Sequence, residues 1–176
     1  MPRSRAQSST NARSRHDGEE PRRHDGDEPR LLLVASPGGH LLQMLALEPA
    51  WRGFDRSWVT LRAADSTYLL AREQVVYAHG PTPRNVRNLL RNLVLAWRTI
   101  RRIDPDVILS TGAALAVPFF VVGRLRRKRL VYVESLTRVE DLALSGRLVQ
   151  PLADSFFVQW PTVARRRGAL YRGSVV

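Results

Sequence analysis

The sequence predicts an α/β fold built on one doubly wound parallel sheet, and three observations carry that prediction. Short apolar runs of strand length recur along the chain, beginning with the continuous Leu31-Leu-Leu-Val-Ala35, as in a strand buried on both faces. Segments of helical character separate several of these runs, as crossover connections between parallel strands require. Clusters of Gly, Ser, Thr and Glu follow the strands directly, on the edge where ligands of such sheets bind. At 176 residues and 44% apolar composition, the chain suits one core and one domain.

Each element follows in order. Residues 1–30 lack large apolar side chains beyond Met1 and nearly repeat themselves, as His16-Asp-Gly-Glu-Glu-Pro-Arg22 and His24-Asp-Gly-Asp-Glu-Pro-Arg30. Such a segment cannot bury enough surface to offset its ordering entropy, so 1–30 is expected to be a disordered tail and 31–176 the folded domain. The tail has no apolar core of the kind a secretory signal needs. After the first strand, helical character runs from Leu41 to Leu47. Further strands are expected at Ser57–Leu61, Gln74–Ala78, Val107–Leu109, Leu130–Val133 and Ser155–Val158. Helices are expected over Arg84–Arg102, Val117–Arg127 and Val139–Val149. The longest apolar run, Ala113–Gly123, is too short to span a bilayer and contains Pro118. It reads as a buried sheet-packing helix whose basic end, Arg124–Arg129, suits the helix dipole or an anionic lipid surface.

Charge narrows the partners. The chain carries 28 Lys+Arg against 16 Asp+Glu, for a net +12, and all but about one unit of it lies in residues 31–176. Only Lys128 among the basic residues is a lysine. Such a surface suits anionic partners: nucleic acid, an anionic membrane or a diphosphate ligand. Projected as a helix, Arg84–Arg102 gathers Val86, Leu89, Leu90, Leu93, Val94, Trp97 and Ile100 on one face, expected to pack on the sheet. Arg84, Arg87, Arg91, Arg98 and Arg102 share one flank, which reads either as a membrane-surface contact or as a solvated face. The chain has no cysteine and four histidines, which removes thiolate sites and leaves a metal centre poorly supplied.

Three loops could carry chemistry. Ser36-Pro-Gly-Gly-His40 joins the first strand to the first helix, where glycines allow close backbone approach and free N–H groups favour an anion. It is neither a Walker loop nor a dinucleotide fingerprint. Ser110-Thr111-Gly112 and Glu134-Ser135, with Thr137 and Arg138, close two further strands. If the first, fourth and fifth strands are neighbours, these loops converge on one cleft. There Glu134 would serve as a base or sugar anchor, or else pair with Arg138. Asp104-Pro-Asp106 imitates a metal-binding Asp-x-Asp but precedes its strand, and so belongs to the opposite edge.

Taken together with Leu144-Ser-Gly-Arg-Leu-Val-Gln-Pro-Leu-Ala-Asp154 and Phe157-Val-Gln-Trp-Pro161, these motifs resemble the acceptor-side, membrane-recruiting subunit of split UDP-sugar glycosyltransferases. That family includes the subunit of eukaryotic dolichyl-diphosphate-chitobiose synthesis and the bacterial PssD-type exopolysaccharide proteins. The resemblance implies a single Rossmann-like domain equivalent to the N-terminal half of a MurG-like GT-B enzyme. Its partner would be a donor-binding subunit carrying the UDP-sugar, its acceptor a polyprenyl-diphosphate-linked saccharide, and the chain alone would be inactive. It further implies His40 or Glu134 as the base, acceptor contacts from Ser36, Gly38, Gly39, Thr111, Gly112, Ser135 and Arg138, and no cofactor or protein-bound metal. The eukaryotic relatives carry a membrane anchor where this chain has its hydrophilic tail. Attachment is therefore expected to be peripheral, at the cytoplasmic face of the plasma membrane. Two other classes stay open: a basic nucleic-acid-binding protein and a self-sufficient small Rossmann-like enzyme.

Overall fold

The computed structural model describes residues 28–82 and 84–175. The expected tail therefore lies outside the described residues up to position 27, and strand β1 (Arg30–Ala35) begins one residue inside the stretch assigned to it. The chain continues through α1 (Gly39–Ala46), α2 (Glu48–Trp51), β2 (Asp55–Leu61), α3 (Ala64–Leu69), β3 (Val75–Ala78), α4 (Val86–Ile103) and β4 (Val107–Gly112). It closes with α5 (Ala116–Leu125), β5 (Arg129–Val133), α6 (Leu144–Val149), β6 (Ser155–Val158), α7 (Pro161–Arg167) and β7 (Leu170–Tyr171). All seven strands are parallel, in the order β3-β2-β1-β4-β5-β6-β7. The predicted doubly wound sheet is present, and β1, β4 and β5 are neighbours.

Side-chain alternation along the strands divides the core into two layers. Leu32, Val34, Val59, Ile108, Leu130, Tyr132 and Phe156 meet Ala96 and Ile100 of α4 and Phe119 and Phe120 of α5. On the other face Leu31, Leu33, Trp58, Leu109 and Val133 meet Leu41, Met44, Trp51 and Leu70 from the region of α1–α3. That second layer is incomplete. Over β4–β6 it leaves an open apolar groove of about 540 Å³, lined by Val107, Leu109, Val131, Val133 and Phe157 and edged by residues 172–175.

Two helices depart from the sequence reading. Val139–Val149 is helical only from Leu144, because the preceding residues form a loop folded around a buried carboxylate described below. Helix α4 is the larger correction. Its buried residues are Asn88, Asn92, Ala96, Thr99 and Ile100, whereas Val86, Leu90 and Val94 are more than half exposed. Of the apolar stripe expected to pack on the sheet, Ile100 and Leu93 do so, but Val86, Leu90, Val94 and Trp97 face away from it. The asparagines turn inward because the loop after β3 needs partners: Asn92 Oδ1 accepts from the His79 N–H and its Nδ2 donates to the His79 carbonyl, each at 2.9 Å. Asn88 Nδ2 donates to the Pro81 carbonyl at 2.9 Å. These two buried amides satisfy backbone groups of the loop that no ladder pairs. The helix starts at Val86, with Asn85 as its cap accepting from the Asn88 N–H; Arg84 stands outside it with φ 51°.

Candidate active site

At the carboxyl edge β1 and β4 are neighbours, and their pairing changes register there. Val34 pairs with Ser110 but Ala35 pairs with Gly112, so Thr111 is an extra residue on β4. A bulge of this kind re-aims a side chain beside a site. Thr111 is aimed at His40 and joins it twice: its Oγ1 donates to the His40 carbonyl at 2.7 Å, and its own carbonyl lies 2.9 Å from His40 Nδ1. A carbonyl can only accept, so Nδ1 carries a proton, and in the neutral ring it is Nε2 that holds the lone pair. The imidazole is thus oriented and held in one tautomer at the start of α1.

Gly38 and Gly39 are exposed at the tip of the preceding turn, Gly38 with φ 78°. The Gly38 N–H donates to Asp65 Oδ2 of α3 at 2.6 Å. That amide is engaged, which corrects the expectation that both glycines offer their N–H groups to a diphosphate. Gly39 and His40, in the first turn of α1, have no intrahelical acceptor for theirs. Gly112 has φ 119°, and a Cβ there would lie 3.0 Å from both His40 Cε1 and the Tyr132 hydroxyl oxygen. His40, Gly112 and the buried Tyr132 hydroxyl therefore share one small space; Ser36 follows the last residue of β1. The Ser36 Oγ is buried without a hydrogen-bond partner among the described residues. Burial raises the Tyr132 hydroxyl above its ordinary pKa, and the neighbouring Glu134 charge adds to this, so Tyr132 stays neutral.

Glu134 is not at the cleft mouth. It is 1% exposed, and its carboxylate accepts from the Ser135 N–H at 2.9 Å and, through the other oxygen, from the Ala143 N–H at 3.1 Å. It packs on Gly146, where a Cβ would collide with it. Desolvation raises its pKa; the two N–H groups and the positive charge of Arg138 oppose that rise. No ion pair joins it to Arg138 among the described residues. Its oxygens organise the loop from β5 to α6. Ser135 lies in that loop with its Oγ 2.9 Å from Thr137 Oγ1, and Arg138 is exposed at its outer turn.

Asp104 and Asp106 lie at the opposite edge, as expected from their place before β4. Asp104 pairs with Lys128 and Arg30, and Asp106 Oδ2 accepts from the Arg30 N–H. Arg87, Arg91, Arg98 and Arg102 are exposed along α4, bordering the outward apolar stripe. Arg126 stacks over Trp97 of that stripe, 5.5 Å from the ring centroid, so the basic end of α5 joins the same surface. Asp65, Tyr132 and the outward direction of the stripe escaped the sequence reading. Only the stripe left a signal there, in its amphipathic period.

Comparison with known proteins adds the following. Residues 62–175 match the family model described as "Oligosaccharide biosynthesis protein Alg14 like". The UDP-N-acetylglucosamine transferase subunit ALG14 of Rattus norvegicus is 33% identical, with 83% of this chain and 82% of that protein covered. The human protein of the same name is 37% identical over 53% of this chain and 47% of its own length. Among solved structures, MurG of Acinetobacter baumannii superposes with TM-score 0.68 at 15% identity, covering 83% of this chain and 45% of that one. The UDP-GlcNAc 2-epimerase of Methanocaldococcus jannaschii gives 0.63 at 10% identity, with 82% and 45% covered. The chain thus spans less than half the length of these solved structures, and at such identities they show a shared fold.

Proposed function

The chain belongs to the Alg14 family, and on that premise we propose that it is the acceptor-side subunit of a two-component glycosyltransferase. It holds a polyprenyl-diphosphate-linked saccharide at the carboxyl edge of its sheet. It also recruits a donor-binding partner, with its UDP-sugar, to the membrane for polysaccharide or lipid-linked oligosaccharide synthesis. The observation that carries this reading is His40 at the head of α1, with Nδ1 committed to the Thr111 carbonyl and Nε2 left as an acceptor.

In the reaction the acceptor hydroxyl donates to His40 Nε2. As its oxygen attacks the anomeric carbon, the hydroxyl proton passes to Nε2 and the bond to UDP breaks, its electron pair leaving with the diphosphate. The N–H groups of Gly39 and His40 and the positive end of α1 face the acceptor diphosphate. Ser36, Thr111, Gly112, Ser135 and Arg138 line the acceptor path, while Glu134 holds the β5–α6 loop in place and is not the base. The partner covers the apolar groove over β4–β6. The segment leading into Pro29 at the rim of that groove has no large apolar side chain beyond Met1 with which to fill it.

The membrane contact is α4. No helix among the described residues is long and apolar enough to cross a bilayer. An exposed stripe of Val86, Leu90, Val94 and Trp97 bordered by arginines fits the interface of an anionic membrane instead. It suits a membrane better than a nucleic acid, because mainly aliphatic side chains separate the charges, with Trp97 the one aromatic of the helix. Its N-terminal end lies at the cleft edge of the sheet, so an acceptor anchored in that membrane reaches the site.

The test is His40→Ala in the reconstituted two-subunit enzyme. Loss of a general base predicts a fall in turnover of ~10²–10⁴-fold with partner binding retained. Near-normal turnover would return His40 to the role of a helix-start residue clipped to Thr111.

A further inference from the structure

Beneath the cleft floor lies a buried amide that the scheme above does not use. Gln43 follows His40 by three residues on α1, which places the two on neighbouring parts of one helix face. Its Nε2 donates to the Glu134 carbonyl at 2.9 Å, and its Oε1 accepts from the Leu136 N–H at 3.3 Å. One side chain thus offers the loop after β5 the donor and acceptor that an adjacent strand would have supplied. The same loop is held from its far side: Gln159 Nε2 reaches the Glu134 carbonyl at 3.4 Å, and Trp160 Nε1 donates to the Leu136 carbonyl at 2.8 Å. Helix α1 itself is clipped to β4 by the paired His40–Thr111 bonds and packed through Leu41 and Met44. Among the described residues, Gln43 makes the side-chain hydrogen bonds that tie this helix to the β5 loop.

We propose that Gln43 is a positioning residue for sugar transfer, fixing the separation between His40 Nε2 and the acceptor contacts of the β5 loop, Ser135 and Arg138. The proposal rests on the reading of His40 as the base. Buried amides with both faces satisfied define a single geometry, and reacting groups displaced by about 1 Å lose ~10²-fold in rate. Because α1 has its own clips and core contacts, losing Gln43 should loosen the register of helix and loop without unfolding the domain.

The experiment uses the full chain reconstituted with its donor-binding partner, a UDP-sugar and a polyprenyl-diphosphate saccharide, at a temperature where each variant is folded by circular dichroism. Gln43→Met keeps the volume and removes both hydrogen bonds. Its kcat is expected to fall ~10–100-fold with the donor KM unchanged. The decisive readout is the double variant with His40→Ala. A residue that acts through His40 costs nothing further once His40 is gone, so the double variant should turn over as slowly as His40→Ala alone. Should Gln43→Met not fold, Gln43→Glu, which keeps the acceptor for Leu136 but loses the donor, carries the same cycle. Unchanged kcat in the single variant would overturn the proposal. So would a double variant slower than His40→Ala by the full single-variant factor, since a general structural role multiplies. Absence of transfer by the wild-type pair, or an unimpaired His40→Ala, would instead overturn the reading on which the proposal rests.

Discussion

His40 and Thr111 illustrate how one inserted residue makes a site. The bulge that leaves Thr111 outside the β1–β4 ladder frees its carbonyl and hydroxyl for the head of α1. Gly112 follows because no larger residue fits there. Gly112→Ala would bring a Cβ to 3.0 Å from the imidazole and the Tyr132 hydroxyl in a backbone conformation that L side chains rarely adopt. It should lower stability by ~1–3 kcal/mol and displace His40, which denaturant unfolding and turnover of the reconstituted pair would both register. At Asp141 the arrangement is purely electrostatic. Hydrogen bonds from Arg167 and the Leu142 N–H, with the charge of Arg147 nearby, lower its pKa from 3.8 to about 2. A carboxylate depressed in the folded state contributes stability that is present above its unfolded value and lost as pH falls through the folded one. The thermal stability gap between wild type and Asp141→Asn should therefore hold above pH 4 and close between 3.8 and about 2.

Helix α4 shows what one-dimensional periodicity can and cannot say. The apolar stripe was legible from Val86 to Ile100; that Val86, Leu90, Val94 and Trp97 point outward while Ile100 packs on the sheet was not. A period locates the apolar face but does not say whether a sheet or a membrane takes it up, and the inward side was decided by the need of His79 and Pro81 for the amides of Asn92 and Asn88. Strands with short connections were easier, because apolar runs ending in glycine-rich turns admit few alternatives. The short helices α2, α3 and α7 carry too few turns to show a period. Likewise the convergence of the three loops was legible in their positions after strands. Burial of Glu134 was not, since it depends on the fold of residues 135–143 over Gly146.

The orientation of α4 leads to a prediction at this scale. Leu90→Asp with Val94→Asp alters exposed positions and should leave the melting temperature nearly unchanged while weakening binding to anionic vesicles. Replacing Arg87, Arg91 and Arg98 by Gln should remove mainly the salt-sensitive part, ~1 kcal/mol per residue near the surface. Vesicle sedimentation at low and high salt separates the two contributions. Binding unaffected by either set would dissociate α4 from the membrane.

For the molecule as a whole, the sheet divides its labour. One edge gathers His40, Gly112 and the β5 loop; the outer side of α4 carries an exposed apolar stripe bordered by arginines, the proposed membrane contact; and the face over β4–β6 leaves an apolar groove, the proposed seat of the partner. Parallel sheets are ordinarily covered on both faces, so the groove is where the proposed partner is expected to sit. On the proposed function the UDP-sugar is brought by the partner, and catalysis requires both substrates to be held together. The most direct measurement is therefore transfer from a radiolabelled UDP-sugar to a polyprenyl-diphosphate saccharide in anionic vesicles, with this chain alone, its donor-binding partner alone and the two mixed. The account predicts product only in the mixture, abolished by His40→Ala in this chain. Robust transfer by this chain alone would contradict it.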